Sequence, residues 1–363
     1  MKILVALSGG IDSSTVAHLL HEQGHELIGV RFTLWSDPLA PAIEQILPSK
    51  CCNAQTAART AHICKRLGIP LHVIDLQEEF KKHVVDPYLA QHREGLTPNP
   101  CIGCNREIKF GKLQELMRAF DCGKLATGHY ARIAHETLAD GSQRCVLLEA
   151  ADAAKDQSYY LYGLTQEQLR SVLFPLGGMQ KKEVFSLAKN FGVPFDEQYK
   201  ESQDLCFFPE KTPQEFLKRH LADALLPGEI VRRNGEIVGK HDGLPLYTIG
   251  QRRGLKIGGL KIPLEVVSKD TMHNRLIVAE KGSESAIDIA LEDLRWVSWQ
   301  PPQTEEATFE CRTRSLTERE KGTLVFEGNR GRFRFEHPQP PLSPGQSLVL
   351  YRGAEVIGGG VMR

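Results

Sequence analysis

No apolar run in this 363-residue chain approaches the ~20 residues of a bilayer-spanning helix. A signal-peptide pattern is missing too, since Lys2 leads straight into a strand-like run, and the expectation is a cytoplasmic protein with no membrane contact. Net charge is also lacking: 45 Lys and Arg balance 45 Asp and Glu. That removes any bulk-charge argument for nucleic acid and confines such a surface to a local patch. There are no internal repeats and no low-complexity tails. Cysteines are present in an odd number, nine. In a reducing compartment that argues against a disulfide scaffold and for thiol chemistry or metal. A content of 41% hydrophobic and 25% charged residues is that of a soluble globular chain, long enough here for two or three domains.

The N-terminus is the most informative stretch. Lys2-Ile3-Leu4-Val5-Ala6-Leu7 has the apolar, β-leaning character of a buried parallel strand. From Ser14 to His21, the residues Val16, Leu19 and Leu20 recur at helical spacing. Between them lies Ser8-Gly9-Gly10-Ile11-Asp12-Ser13, a turn of glycines and hydroxyls. Glycine lets the backbone approach a ligand, and the amides at a helix start attract anions. The loop lacks a Walker Gly-Lys-Ser/Thr ending and is not a Gly-x-Gly-x-x-Gly dinucleotide turn. Ser-Gly-Gly-x-Asp-Ser resembles the signature of the PP-loop ATP pyrophosphatases. That resemblance implies an adenine nucleotide alpha hydrolase-like domain. Its loop grips the pyrophosphate that departs when ATP adenylates a substrate oxygen, and Asp12 helps to place Mg2+. It further implies ATP contacts along Ala6, Leu7, Ser8, Gly9, Gly10, Ile11, Asp12 and Ser13.

Further strand and helix signals follow. Glu26 to Phe32 reads as a second strand, with Phe32 near its end either packing on adenine or serving as plain core. Cys51-Cys52 opens a helix over 54–68 and is either a ligand site or structural. A third strand runs over 69–76. Alternating strands and helices describe an open, mostly parallel sheet with ligands beyond the strand carboxyl ends. Pro98 and Pro100 then stiffen an extended loop that delivers Cys101 and Cys104 to a helix start beside Arg106 and Lys109, a setting that favours thiolate. No second Cys-x-x-Cys or paired histidines follow at zinc spacing, which argues against a zinc finger. Leu125-Ala126-Thr127-Gly128-His129 is a short strand ending where backbone can approach a nucleotide at Gly128; His129 is a ligand or an ordinary packed histidine. From Pro227 short strands alternate with Gly, Pro and Asn turns. A second such run, from Leu264 to Arg363, has barrel spacing. Within it, Arg330 to Phe335 alternates arginine with phenylalanine; with Arg312, Arg314 and the Arg252-Arg253 loop this forms either an RNA-backbone stripe or a solvated face. The chain is thus read as α/β, with a PP-loop domain over 1–200, a small β-rich central domain over 201–265 and a C-terminal β-barrel over 266–363.

Several blocks carry a more specific resemblance. These are Thr97-Pro98-Asn99-Pro100 with Cys104-Asn105, Ile108-Lys109-Phe110, Ala126 to Ala131, Lys155-Asp156-Gln157-Ser158-Tyr159-Tyr160, Glu201 to Phe207, Tyr247 to Gly254, and Pro344-Gly345-Gln346-Ser347. In this order, over essentially the whole chain, they resemble the bacterial tRNA-specific 2-thiouridylase family. The resemblance implies ATP-dependent 2-thiolation of the wobble uridine, position 34, in the anticodon stem-loop of tRNA. It implies Cys104 and Cys206 as the catalytic pair, with a persulfide on Cys206 loaded by a sulfur-donor protein, and Cys104 either releasing the sulfur by a disulfide with Cys206 or assisting as acid and base. Asn99, Pro100 and Cys101 would meet the flipped base, and His129, Lys155, Asp156, Gln157, Arg312, Thr313 and Gln346 the tRNA. Some members carry Asp where Cys101 stands. Cys101, Cys104 and Cys206 are therefore also candidates for a 4Fe–4S cluster with one open iron. Two rival functions remain: a PP-loop ligase or amidotransferase on a small metabolite, and a non-catalytic RNA-binding protein. Neither reading involves DNA.

Overall fold

Strand β1 (Lys2–Ala6) sets the architecture, because every interior residue is apolar and a strand points successive side chains to opposite faces. Ile3 and Val5 pack with Leu7, Val16, Ile63 and Val184 on one face, while Leu4 packs with Ile28, Phe110 and Leu113 on the other. A strand buried on both faces belongs in the middle of a parallel sheet. In the computed structural model, which describes residues 1–41, 54–138, 140–195, 205–210, 212–258, 262–298 and 306–363, β1 is indeed central. The sheet runs β3 (Leu71–Asp75), β2 (Glu26–Thr33), β1, β4 (Lys124–Ala126) and the two-residue strand Val172–Leu173, all parallel. Helices α1 (Ile11–Glu22) and α2 (Ala54–Leu67) contribute to the first of those cores. The chain leaves β1 towards β2 on one side while β4 lies on the other. The carboxyl ends of β1 and β4 therefore flank a topological switch point, where ligands bind in such sheets.

The central unit is a four-stranded sheet ordered Leu264–Asp270, Arg275–Glu280, Gly228–Arg232 and Ile237–His241. The expected boundary at residue 265 falls inside this sheet. Arg275–Glu280 pairs in parallel with Gly228–Arg232, so the run starting at Leu264 completes the central unit before the barrel begins. The barrel closes through six strands: Ala286–Trp296, Arg330–Gln339, Glu320–Glu327, Glu306–Arg312, Ser347–Arg352 and Glu355–Met362, the last pairing back to the first. Alternation along Arg330–Gln339 is as read from sequence: Phe333 and Phe335 fill the barrel and Arg332 and Arg334 face out. A hairpin of the N-terminal domain, Arg132–Thr137 with Gln143–Leu148, joins the barrel sheet through Leu148 opposite Glu355. Among the described residues no helix is long and apolar enough to cross a membrane.

One side chain sits awkwardly at the seam between the first two units. Lys269 carries its Nζ out of solvent with no hydrogen-bond partner among the described residues, beside the buried ring of His92. Burial lowers the ammonium to about 8 from an ordinary 10.5. The folded chain thus releases this proton near pH 8 and the unfolded chain near 10.5, so stability rises with pH across that window. Such a shift corresponds to about 3 kcal/mol. Urea titrations of wild type and Lys269→Met are expected to show the variant more stable at pH 7 and the gap shrinking as pH approaches 10. A gap that stays constant would mean the lysine folds without a titration penalty.

Candidate active site

Between β1 and α1 the loop closes on itself. The Ser8 amide and hydroxyl meet Ser13 Oγ at 3.2 Å, and Ser14 Oγ donates to the Gly10 carbonyl at 2.8 Å. Gly9 takes φ +77°, and a Cβ there would stand 2.3 Å from the Thr56 carbonyl oxygen, so only glycine fits. Two buried arginines hold the loop from behind: Arg31 donates to the Ser8 carbonyl at 3.3 Å and Arg59 to the Gly9 carbonyl at 2.8 Å. With those carbonyls tied back and no side chain capping α1, the loop presents amides and a positive dipole end to the cleft. Gly128, just beyond β4, comes so close that a Cβ would lie 2.9 Å from the Ser13 nitrogen. The loop and the β4 end are thus packed together, with Gly128 at the point of contact.

Asp12, in the first turn of α1, keeps its side chain 30% exposed. Lys181 Nζ reaches it at 2.7 and 2.9 Å, and the Tyr130 hydroxyl donates to it at 2.8 Å. Lys181, Tyr130, Arg31 and Arg59 escaped the sequence reading. Arg31 had a visible signal, a charge inside the otherwise apolar strand Glu26–Thr33. Phe32 is half-buried and packs against both adjoining cores, so its ring lies at the β2 end without being sealed away. Gly9→Ala is expected to weaken ATP binding about tenfold or more, because the new methyl displaces Thr56 and the positive φ is strained. Calorimetric titration with ATP measures it, and an unchanged affinity would place the nucleotide elsewhere.

The thiols come from a second region. Asn99 Oδ1 caps the Cys101 amide at 3.2 Å, and Pro100 stands in the first turn, where its missing N–H costs nothing. The helix therefore starts at Pro100–Gly103, continues as a π-wound segment over Cys104–Gly111 and returns to α geometry over Lys112–Ala119. Cys104 opens the π segment and is 5% exposed. Arg106 does not serve it as expected, being paired with Glu107 and with Asp293 of the barrel. Glu201 to Asp204 lie outside the described residues, as do Cys51 and Cys52. Cys206 is half-buried and anchored by Phe207 and Phe208, both 2% exposed. Cys104, Phe207 and Phe208 belong to one packed cluster, and Cys206 packs against it. Tyr88 ties the pieces together: its ring meets Phe207 edge-on at 5.3 Å, and Cys101 lies near enough to push its hydroxyl, already raised by burial, further up. Asp37 fixes the following helix, Gln214–His220, from the N-terminal side. Burial alone would raise its carboxyl, but His220, Arg219 and the Leu39 amide hold it below the usual range. Both catalytic candidates are thiols, not joined to each other. Among the described residues no group of three His, Cys, Asp or Glu side chains is placed to hold a metal ion, so nothing in the structure supports the 4Fe–4S alternative at Cys101, Cys104 and Cys206.

Several residues expected on RNA have partners within the chain. Asp156 is buried, accepting from the Ala150 and Ser158 amides and the Ser158 hydroxyl. Gln157 Oε1 accepts from the Tyr130 amide at 2.9 Å. His129 bonds Thr127 Oγ1 at 2.8 Å between Phe110 and Phe174, and burial, then Lys109, holds it well below its ordinary range, hence neutral. Arg312 leaves the exposed stripe to pair with Glu149 at 2.7 Å. Lys155 and Thr313 are half-buried, and Gln346 Nε2 donates to the Thr97 carbonyl at 2.8 Å.

A parallel sheet with a glycine–hydroxyl loop at its switch point, two cysteines packed on one cluster, and two β units after them define a multidomain nucleotide-dependent enzyme of the PP-loop class. Family models agree in extent: the "tRNA methyl transferase HUP domain" matches residues 1–210, the "tRNA methyl transferase PRC-barrel domain" 214–280 and the "Aminomethyltransferase beta-barrel domain" 287–362. The chain is 42% identical to the tRNA-specific 2-thiouridylase MnmA of Roseiflexus castenholzii, covering 99% of this chain and 98% of that one. It is also 42% identical to the protein of that name from Geobacter metallireducens, over 99% of this chain and 96% of the relative. The chain belongs to the tRNA-specific 2-thiouridylase family.

Proposed function

We propose that the chain replaces the 2-oxygen of the wobble uridine of tRNA with sulfur, at the expense of ATP. The observation that carries this reading is the packing of Cys104 and Cys206, distant in sequence, around one cluster in a chain that also holds a pyrophosphate-type loop. An oxygen on a pyrimidine carbon is a poor leaving group. The uracil 2-oxygen therefore attacks the α-phosphorus of ATP, and pyrophosphate leaves into the loop over Ser8 to Ser13 at the start of α1. The terminal sulfur of a persulfide on Cys206 attacks the activated carbon and AMP departs, leaving the base joined to Cys206 through two sulfurs. The Cys104 thiolate then attacks Cys206 Sγ, so the outer sulfur stays on the base and a Cys104–Cys206 disulfide forms. Two electrons from a thiol reductant restore both cysteines, and a persulfide-bearing donor protein reloads Cys206. Asp12 is the carboxylate beside the loop, and Mg2+, which takes one or two carboxylates plus phosphate oxygens, would share it with Lys181 and Tyr130. When bound, that ion neutralises phosphate charge. The target base is stacked in its loop and must turn out to reach the thiols. The rigid Asn99-Pro100-Cys101 turn at the helix start is the element we assign to meeting it.

The family models speak of methyl transfer and the relatives of thiolation; the paired thiols favour the second. The test is digestion and mass spectrometry of an unmodified tRNA transcript incubated with the protein, ATP, Mg2+ and a persulfide donor. A 2-thiouridine that requires ATP supports the reading. A methylated nucleoside, or ATP turnover indifferent to tRNA, overturns it.

A further inference from the structure

The three units meet around an open pocket of about 520 Å3. Thr97 of the N-terminal domain, Gln214, Gln251 and Arg253 of the central region, and Arg314 and Gln346 of the barrel line it. None of its lining residues is acidic. Among the described residues neither Arg253 nor Arg314 has a carboxylate partner, whereas Arg312, Arg319 and Arg332 are all paired. Arg314 is held in place by neutral acceptors, the Ile249 carbonyl at 3.5 Å and Ser343 Oγ at 3.3 Å, so no carboxylate among the described residues compensates its charge. Gln214 Oε1 is buried with no donor among the described residues. A cavity with two guanidinium groups that no carboxylate among the described residues compensates, and an unanswered acceptor, is suited to a ligand that is anionic and also donates a hydrogen bond.

The pocket wall is braced to the thiol region. The Thr97 amide donates to the Pro344 carbonyl at 2.8 Å, and Gln346 holds the Thr97 carbonyl. Gly345, at φ +93°, presses so closely that a Cβ would lie 2.9 Å from the Thr97 nitrogen. Thr97 precedes Asn99 by two residues, a reach of at most about 7 Å along the chain and comparable to one nucleotide step. Resting on the reading of tRNA as substrate, we infer that this pocket seats the nucleotide next to the reacting uridine. Its backbone phosphate lies between Arg253 and Arg314, and a hydroxyl or N–H of that nucleotide donates to Gln214 Oε1.

The test reads affinity, not turnover, and so stands apart from the thiolation assay. Anticodon stem-loops carrying one neutral methylphosphonate at each position around the wobble uridine are titrated against wild type and the Arg253→Gln/Arg314→Gln double variant. The double variant is expected to bind the unmodified loop about thirtyfold more weakly. Its salt dependence should flatten by about 0.7 in log–log slope, the share of one single-stranded phosphate. One methylphosphonate position should weaken wild type by a similar factor yet leave the double variant unaffected. Arg118→Gln, a surface arginine of the N-terminal domain paired with Glu167, serves as the control and should bind like wild type. If no methylphosphonate position couples to the two arginines, or the double variant binds like wild type, the inference fails. A wild type that binds this way but forms no thiouridine would overturn the proposed reaction and leave the pocket assignment intact.

Discussion

Cys206→Ser is expected to lower thiouridine formation by about a thousandfold or more while tRNA-dependent release of pyrophosphate continues, because in the proposed reaction the loop at Ser8 and the sulfur on Cys206 act in successive steps. Serine keeps the volume of the side chain and cannot hold a persulfide. Cys104→Ser has a different signature. With Cys206 loaded, the first sulfur still attacks the base, but nothing breaks the bond between the two sulfurs. A covalent protein–tRNA species should accumulate and dissolve on adding reductant. Gel electrophoresis with and without dithiothreitol measures it, alongside radiolabelled pyrophosphate release. Turnover of Cys104→Ser at the wild-type rate would remove Cys104 from the reaction. Loss of pyrophosphate release in both variants would mean that the thiols help to bind nucleotide or RNA.

Glu149→Ala should cost about 3 kcal/mol of stability at the contact between the N-terminal domain and the barrel. Glu149 Oε1 receives Arg312 at 2.7 Å and Oε2 receives Arg319. Arg319 also bonds Glu310 at 2.8 Å, and both guanidinium groups lie over the Tyr351 ring, at 5.2 and 4.5 Å. Their side chains are only 16% and 19% exposed, so removing the shared carboxylate leaves two cations that water reaches poorly. Urea unfolding compares wild type, Glu149→Ala and the Glu149→Ala/Arg312→Met pair. Arg312→Met in that background should regain part of the loss, since it removes one stranded charge. If the single variant is as stable as wild type, the network is a solvated surface pair.

The elements most legible in the sequence were those whose reason is local. β1 is apolar on both faces because it is central, its loop is glycine-rich because Thr56 crowds it, and Arg330 to Phe335 alternates because a barrel has an inside. What escaped depends on partners far along the chain. The hairpin over 132–148 reads as ordinary strands until its edge meets Glu355. Arg312 looks like a surface cation until Glu149, from another domain, takes it. Asp156 and Gln157 suit RNA as residue types, yet nearby amides satisfy them first. Tyr88 carried no motif; it matters only because Phe207 and Cys101 both fold onto it. The strand over 264–270 matched barrel spacing, and nothing in its composition shows which of two sheets it will pair with.

The π-wound segment over Cys104–Gly111 has a consequence for how this family's chains can vary. A π turn holds more residues than an α turn, and adding or removing one residue is how helices gain or shed such turns. In α geometry each residue advances the azimuth by about 100°. Deleting a single residue within 105–110 would therefore turn Cys104 by about 100° relative to the helix that follows it. Length in this short segment is constrained by angular phase, even where the identities of its outward side chains are not.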